Sequence, residues 1–166
     1  MRIADLLLRE LDTEAKSTLA MLQRVPADRL DWTPHHKSMS LGRLAWHLAS
    51  IPRVPARIFG EGGFDVAKAR PAPGSDEMRE FLAEFERSLA VARETVTALD
   101  DEALFTKVEL RRDSQVLTSM PKYFILRTIL LNHIVHHRGQ LSVYLRLLDI
   151  PLPATYGTSA DETMGG

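Results

Sequence analysis

Apolar residues recur at steps of three and four along four separate segments of the chain, which is the spacing of one face of an α-helix. The first segment covers residues 3–25, the second begins near Ser40 and the third near Ser75. The fourth runs from about Pro121 to Leu148. Four amphipathic helices with one long crossover before the last predict an all-α protein, a four-helix bundle.

Three interruptions of this pattern lead to further predictions. Pro52 and Pro55 fall inside the second segment, where each removes a backbone donor and crowds the preceding turn, so the helix should kink or stop. Residues 60–77, "GEGGFDVAKARPAPGSDE", form a Gly/Pro-rich connection to the third helix. Residues 105–117, "FTKVELRRDSQVL", alternate in part around "RRDS", which predicts a short β-hairpin within the crossover.

Length, charge and cysteine content limit the class of protein. The 166 residues predict one domain over residues 1–166. Lys and Arg number 21 against 22 Asp and Glu, so no broad positive surface is expected for nucleic acid or an anionic membrane. No apolar run is long enough to cross a bilayer, and "MRIADLLLRELDTE" turns acidic too early for a signal peptide. The absence of cysteine excludes thiolate ligands and suits a cytoplasmic protein, so any metal must be held by histidine or carboxylate.

Three of the six histidines fall on the apolar stripes of two predicted helices. His133 and His137 are consecutive on the fourth stripe, so their rings project the same way, one turn apart. His47 holds a stripe position on the second helix, between Leu44 and Ile51. Buried imidazoles without partners are costly, and a divalent cation removes that cost because each neutral ring gives it a lone pair. Three histidines leave a coordination position open, as in catalytic zinc sites, so we predict a divalent-metal site at these three positions.

The pattern leaves other interpretations open. A histidine on an apolar stripe is more often a core residue with satisfied hydrogen bonds, and His-x-x-x-His on a helix also arises by chance. His136 is a competing ligand, but it lies about 100° around the helix from His137, so we interpret it as a rim residue or as a group that supports the ligands. His35 and His36, in the loop "TPHHK", should be exposed and incidental.

Gly139 needs a reason, because glycine inside a helix costs about 1 kcal/mol relative to alanine. Tight packing against another helix is the favoured explanation, and close approach of a ligand is the other. Arg138 and Gln140 flank this glycine and either orient an anionic ligand or lie solvated on the surface.

Three stretches of the chain together resemble the DinB-like family of metal-dependent proteins, which is not the polymerase of the same name. They are "LDWTPHHKSMSLGRLAWHLA", "LLNHIVHHRGQLSVYLRLLDIPLP" and "YGTSADE", and they span residues 30–162. The resemblance implies a four-helix bundle, often a homodimer, that binds nickel, zinc or iron through His47, His133 and His137. Relatives with assigned activity are similar to S-transferases that use bacillithiol, mycothiol or glutathione, and include an isomerase of maleylpyruvate.

These observations predict a metal-dependent enzyme with a small-molecule substrate. An open position on a cation would bind the sulfur of a low-molecular-weight thiol and lower its pKa, and the thiol must be a cofactor because the chain has no cysteine. In a variant of this scheme, water is the nucleophile and the reaction is a hydrolysis. Tyr156, Asp161 and Glu162 either fold over the site as acid/base groups or form an exposed polar tail. The alternatives are a non-catalytic metal-binding or stress-response protein, and a dimeric scaffold whose histidines are polar core residues.

Overall fold

The computed structural model describes residues 1–60, 63–65, 67 and 73–163, and within them the chain is mostly helical. The α-helices of this part are α1 (Ile3–Leu22), α2 (Leu41–Ser50), α3 (Val54–Gly60), α4 (Ser75–Arg79), α5 (Phe81–Thr97), α6 (Asp101–Phe105), α7 (Lys122–Ile125) and α8 (His133–Leu147). The other helical segments are a 3₁₀ turn (Ile51–Arg53) and a π-helical segment (Leu126–Asn132).

The predicted interruption of the second helix at its two prolines is confirmed. Helix α2 begins after Ser40, whose hydroxyl accepts a hydrogen bond from the Arg43 backbone N–H at 3.3 Å and so caps the first turn. It ends at Ser50, and the 3₁₀ turn that contains Pro52 follows before α3 begins at Val54. Proline lacks the N–H that a continuous α-helix needs, so the tighter turn replaces it.

A three-stranded sheet makes the all-α prediction wrong in part. Strands β2 (Lys107–Arg112) and β3 (Gln115–Pro121) form the predicted antiparallel hairpin, and Asp113 in its turn has φ 53°. Strand β1 (Gly63–Asp65) was not predicted and pairs in parallel with β2. A Cβ on Gly63 would lie 2.6 Å from the Glu109 carbonyl oxygen, so glycine is needed for this close approach. The fold is therefore mostly helical with a small sheet.

The fourth predicted segment is helical throughout but does not keep one pitch. Helix α7 passes into the π-helical segment after Ile125, and α8 begins at His133. A π-helix bonds residue i to i+5, so it turns the residues that follow to a different face than a regular α-helix would. Within α8, Leu145 is fully buried, whereas Tyr144 and Leu148 are only partly buried against the same core.

The main hydrophobic core lies between the four longest α-helices, since α1 and α2 each contact both α5 and α8. Leu11, Leu44, Phe85 and Leu141 represent the four helices in this core, and each is at most 1% exposed. A smaller apolar cluster lies beside the sheet, around Ile58. Among the described helices, none is both long and apolar enough to span a bilayer.

Candidate metal centre

The structure brings the side chains of His47, His133 and His137 together between α2 and α8. His47 lies in the last turn of α2, whereas His133 and His137 lie one turn apart at the start of α8. The distances between their Nε2 atoms are 3.4 Å for His47 and His133, 3.1 Å for His47 and His137, and 2.8 Å for His133 and His137. We call these three residues the histidine cluster.

The spacing of these nitrogens suits a single small ion. Nitrogen ligands at about 2.1 Å from one ion lie about 3.0 Å apart at right angles and about 3.4 Å apart at tetrahedral angles. The observed Nε2 separations of 2.8, 3.1 and 3.4 Å cover this range. Three donors within this reach of one another could hold a metal ion, and the described residues contain no other such group.

Hydrogen bonding alone does not satisfy the three nitrogens. A neutral imidazole nitrogen either carries a proton or offers one lone pair, so three mutually adjacent nitrogens cannot all pair with one another. Gln140 fixes the tautomer of His137, because its Oε1 lies 2.7 Å from His137 Nδ1 and accepts a hydrogen bond from the Nδ1–H. The Nε2 lone pair of His137 therefore points into the cluster, as a metal ligand requires.

His133 is less completely satisfied than His137. Its Nδ1 is buried and lacks a hydrogen-bond partner among the described residues. The Ile129 carbonyl, one turn earlier, raises the His133 pKa, but burial acts more strongly and the net shift is downward. A buried polar nitrogen of this kind is uncommon in a static core and is typical of a functional position.

The cluster is held in the neutral form that binds metals. Burial lowers the pKa of His47 to about 4, with smaller contributions from His137, His133 and Arg43. Burial is also the main cause of the lowered pKa of His133 and of His137. The charged neighbours that act on these pKa values are themselves basic, so neighbouring charge and burial both favour the neutral rings.

One side of the cluster remains accessible to a ligand. His137 is 8% exposed, whereas His47 and His133 are half-buried. Access to a three-nitrogen centre from one side is the arrangement that leaves room for a substrate or a cofactor.

The remaining histidines lie outside the cluster. His136 is exposed, and its ring stacks edge-on against His137 with centroids 4.8 Å apart, in the rim position predicted for it. His35 and His36 are exposed in their loop and stack on each other at 4.1 Å. None of these three histidines adds a donor atom to the histidine cluster.

The C-terminal tail does not fold over the histidine cluster in the described residues. Asp161 accepts a hydrogen bond from Arg146 at 2.5 Å, and Glu162 accepts one from Arg24, also at 2.5 Å. Tyr156 donates to Glu14 at 2.7 Å. The acid/base role considered for the tail is therefore not supported, because these side chains bind Glu14 of α1, Arg24 beyond its end, and Arg138 and Arg146 of α8.

Of the two interpretations of Arg138, the solvated surface position is wrong. It is only 3% exposed and forms a 2.7 Å ion pair with Glu14, which is 7% exposed. The Thr18 hydroxyl and the Tyr156 hydroxyl complete its hydrogen bonds at 3.3 and 2.7 Å. Glu14 and Thr18 are both buried and lie one turn apart on α1, although the apolar repeat of this helix predicted Ala15 and Leu19 at the core instead.

Gly139 does not provide tight helix packing within the described residues. A Cβ at this position would have no neighbouring atom within 4 Å, and the residue is exposed on α8. The predicted packing contact is therefore wrong for the single chain.

Comparison with known proteins identifies the family. A model of the DinB family matches residues 1–164, so the chain belongs to this family. It is 26% identical over 162 residues to the uncharacterized protein YrdA of Bacillus subtilis strain 168, covering 95% of this chain and 90% of that protein.

Solved structures of the same family share the fold. A DinB-like protein from Bacillus cereus has a TM-score of 0.65 and 25% identity, covering 90% of this chain and 95% of the other. The DinB-like protein YjoA from Bacillus subtilis has a TM-score of 0.68 at 15% identity, covering 95% and 98%. At 15% identity, the similarity to YjoA supports the fold alone.

Proposed function

We propose that this chain is a metal-dependent enzyme in which His47, His133 and His137 hold a divalent cation for thiol transfer to a small electrophile. The observation that carries the proposal is the convergence of three Nε2 atoms within 2.8–3.4 Å on a partly open face. When bound, a divalent cation such as nickel, zinc or iron lowers the pKa of a thiol or of water at neutral pH. Thiol is the preferred nucleophile because the family resemblance points to S-transferases.

The residues of the chain orient the metal ligands. Gln140 holds the His137 ring in one tautomer, and the burial of the three rings limits their contact with water. The thiol sulfur forms the new bond to the electrophilic carbon, the leaving group departs with its bonding electrons, and the thiol proton passes to solvent. A small-molecule thiol must supply the sulfur, since the sequence contains no cysteine.

Metal analysis of protein purified without an affinity tag tests the ligand set. We expect one divalent ion per chain in the native protein, and loss of that ion in the His133→Ala and His137→Ala variants. His136→Ala is the matched control, because it removes a neighbouring imidazole that lies outside the cluster. Full metal occupancy in the His133→Ala variant would show that the assigned triad is wrong.

A second experiment separates an enzyme from a metal-binding protein without turnover. The metal-loaded chain is mixed with electrophiles in the presence of bacillithiol, mycothiol or glutathione, and product is measured with and without a chelator. Turnover that needs both metal and thiol supports the transferase. Turnover that needs the metal but no thiol would indicate a hydrolase, and no turnover on any substrate would favour the non-catalytic alternative.

We also propose that the chain acts as a single four-helix-bundle domain over residues 1–166 and as a homodimer in the cytoplasm. The family match over residues 1–164 supports the single domain. An exposed stripe on α8 supports self-association, because Val143 and Leu147 are each 58% exposed, one turn apart, and Gly139 precedes them by one turn.

A further inference from the structure

His133 and His137 face each other closely enough to fix where their ring protons can lie. Their Nε2 atoms are 2.8 Å apart, which is the shortest of the three contacts in the histidine cluster. The His137 proton lies on Nδ1, because Nδ1–H donates to Gln140, and its Nε2 therefore offers a lone pair. A second lone pair at 2.8 Å would repel it, so without an ion His133 must carry its proton on Nε2 and donate it to His137.

The other ring nitrogen of His133 agrees with this assignment. A neutral imidazole has one N–H, so a ring with its proton on Nε2 has an unprotonated Nδ1 that can only accept. Nδ1 of His133 is buried and has no hydrogen-bond partner among the described residues. No donor in this part of the chain therefore satisfies the nitrogen, and burial in that state is unfavourable.

A divalent ion in the cluster requires the opposite tautomer of His133. Binding through Nε2 uses the lone pair of that nitrogen, so the proton of the neutral ring must lie on Nδ1. Nε2 then loses a proton to solvent and Nδ1 gains one from solvent, which leaves the charge of the ring unchanged. A buried Nδ1–H is costly without an acceptor, so the bound form of the site needs a hydrogen-bond acceptor beside His133.

The backbone carbonyl of Ile129 is placed to be this acceptor. It lies in the turn before His133, toward which a helical side chain leans. Burial lowers the His133 pKa, and the Ile129 carbonyl acts in the opposite direction, as expected of an acceptor beside the ring. The two groups do not form a hydrogen bond in the structure, which is what an unprotonated Nδ1 facing a carbonyl predicts.

The π-helical segment keeps this carbonyl available. In a regular α-helix the His133 backbone N–H would bond to the Ile129 carbonyl, four residues earlier. Here the same N–H bonds to the Leu130 carbonyl, at the end of the π-helical segment. The Ile129 carbonyl is therefore not engaged by its usual backbone donor, and the side chain of His133 can use it.

We propose that metal binding switches His133 from its Nε2–H to its Nδ1–H tautomer, and that the Ile129 carbonyl holds the switched form. This inference rests on the proposed function only in placing the ion at the histidine cluster, and it depends neither on the thiol nor on turnover. Ile129 is then a positioning residue, because it acts through the His133 ring and does not contact the ion.

Nitrogen-15 NMR of the labelled, untagged chain at neutral pH tests the switch, with zinc alone as the probe. Protonated and unprotonated ring nitrogens resonate in separate ranges, and their couplings to the ring C–H protons distinguish Nδ1 from Nε2. We expect His133 to carry its proton on Nε2 without zinc and on Nδ1 with zinc. His137 should keep its Nδ1–H in both spectra, and His136, outside the cluster, should not change tautomer. The His133 signals are assigned from their loss in His133→Gln.

Weakening the Ile129 carbonyl tests its role as the acceptor. Leucic acid in place of Leu130 keeps the side chain but turns the peptide bond after Ile129 into an ester, whose carbonyl is a weaker acceptor. We expect zinc affinity to fall about 10-fold, the lower end of the range for groups that orient metal ligands. Leucic acid in place of Leu126 is the matched control, because it removes a helix N–H in the same way but weakens the Ile125 carbonyl, about two turns before His133. Its zinc affinity should equal that of the native chain.

The outcomes separate failure of this inference from failure of the proposed function. No zinc binding by the native chain would overturn the metal site and the switch together. Zinc binding with the same His133 tautomer in both spectra would overturn the switch and leave the metal site standing. Equal zinc affinities of the two ester variants would overturn the role of Ile129. Matching thermal midpoints of these variants show that the fold tolerates the two losses of N–H equally.

Discussion

At the scale of single residues, Gln140 is the residue that fixes which nitrogen of His137 carries the proton. Replacing it by leucine in Gln140→Leu removes the acceptor at 2.7 Å from His137 Nδ1. We expect metal affinity to fall by about 10–100-fold, because loss of such a hydrogen bond frees the ring and lowers its basicity. The dissociation constant is measured by competition with a chromophoric chelator.

Gln140→Glu is the matched variant for this prediction, because a carboxylate accepts the same hydrogen bond from His137 Nδ1–H. Its metal affinity should be equal to or higher than that of the native protein. Since Gln140 is exposed, neither change should unfold the chain. Unchanged affinity in Gln140→Leu would show that this hydrogen bond does not orient a ligand.

The histidine cluster should also make the stability of the metal-free protein depend on pH. The pKa of His47 falls from 6.5 to about 4 on folding, chiefly through burial. Below pH 6.5 the unfolded chain therefore binds a proton that the folded chain does not, so the free energy of unfolding should decrease as pH falls from 6.5 to 4. The slope from this one group has an upper limit of about 1.4 kcal/mol per pH unit, and partial exposure to water reduces it.

Urea unfolding at a series of pH values, with a chelator present, measures this dependence. In the His47→Phe variant the decrease between pH 6.5 and 4 should be smaller, because the group that titrates differently has been removed. His36→Gln, at an exposed loop position, serves as the control and should behave like the native protein. An identical slope in His47→Phe would contradict the prediction.

Single residues also show how far the sequence could predict the site. The pairing of His133 with His137 followed from their spacing of four, and His47 was found because it occupied an apolar position on another helix. Arg138 was missed, because its burial depends on Glu14 from a helix more than a hundred residues earlier. Such a long-range partner leaves no local pattern beside the arginine.

At the scale of helices and strands, the ion pair between Arg138 and Glu14 links α8 to α1. Glu14→Ala should destabilise the fold by about 3 kcal/mol, because it leaves a buried guanidinium without its charge partner. The free energy of unfolding in urea measures the effect.

Glu10→Ala on the same helix is the matched control. Glu10 pairs with Arg127 at 2.5 Å, but these side chains are 42% and 32% exposed, so the loss should stay below about 1 kcal/mol. Similar losses for the two substitutions would show that burial does not distinguish the two pairs.

Elements formed by local contacts were predictable, and those that depend on distant partners were not. The β2–β3 hairpin followed from the alternation around "RRDS", and the break in the second helix followed from Pro52 and Pro55. Strand β1 spans only three residues and pairs with a segment more than forty residues away, so its sequence shows no periodicity that would predict a strand. The π-helical segment could not be predicted for a different reason, because its sequence is equally compatible with an α-helix.

At the scale of the whole molecule, the exposed stripe on α8 gives a test of the homodimer. The double variant Val143→Glu and Leu147→Glu places charges on two apolar positions that are each 58% exposed. If the stripe is the interface, the mass from light scattering should fall from two chains to one while the thermal midpoint of the monomer stays similar.

A matched double variant on another exposed apolar surface, Val116→Glu and Leu117→Glu, should remain dimeric. These residues are 46% and 47% exposed on β3. A native protein that already has the mass of one chain would contradict the homodimer, and an unchanged dimer in the α8 variant would place the interface elsewhere.

The separation of the three histidines along the chain affects when their cluster can form during synthesis. His47 is 86 residues from His133 and 90 from His137, so the cluster requires a long stretch of chain to close. Closing such a loop costs conformational entropy, which the packing of α8 against α1 and α2 offsets. A nascent chain on the ribosome therefore has no complete cluster until α8 has emerged, and under the proposed function a prematurely terminated chain that lacks α8 should bind no ion.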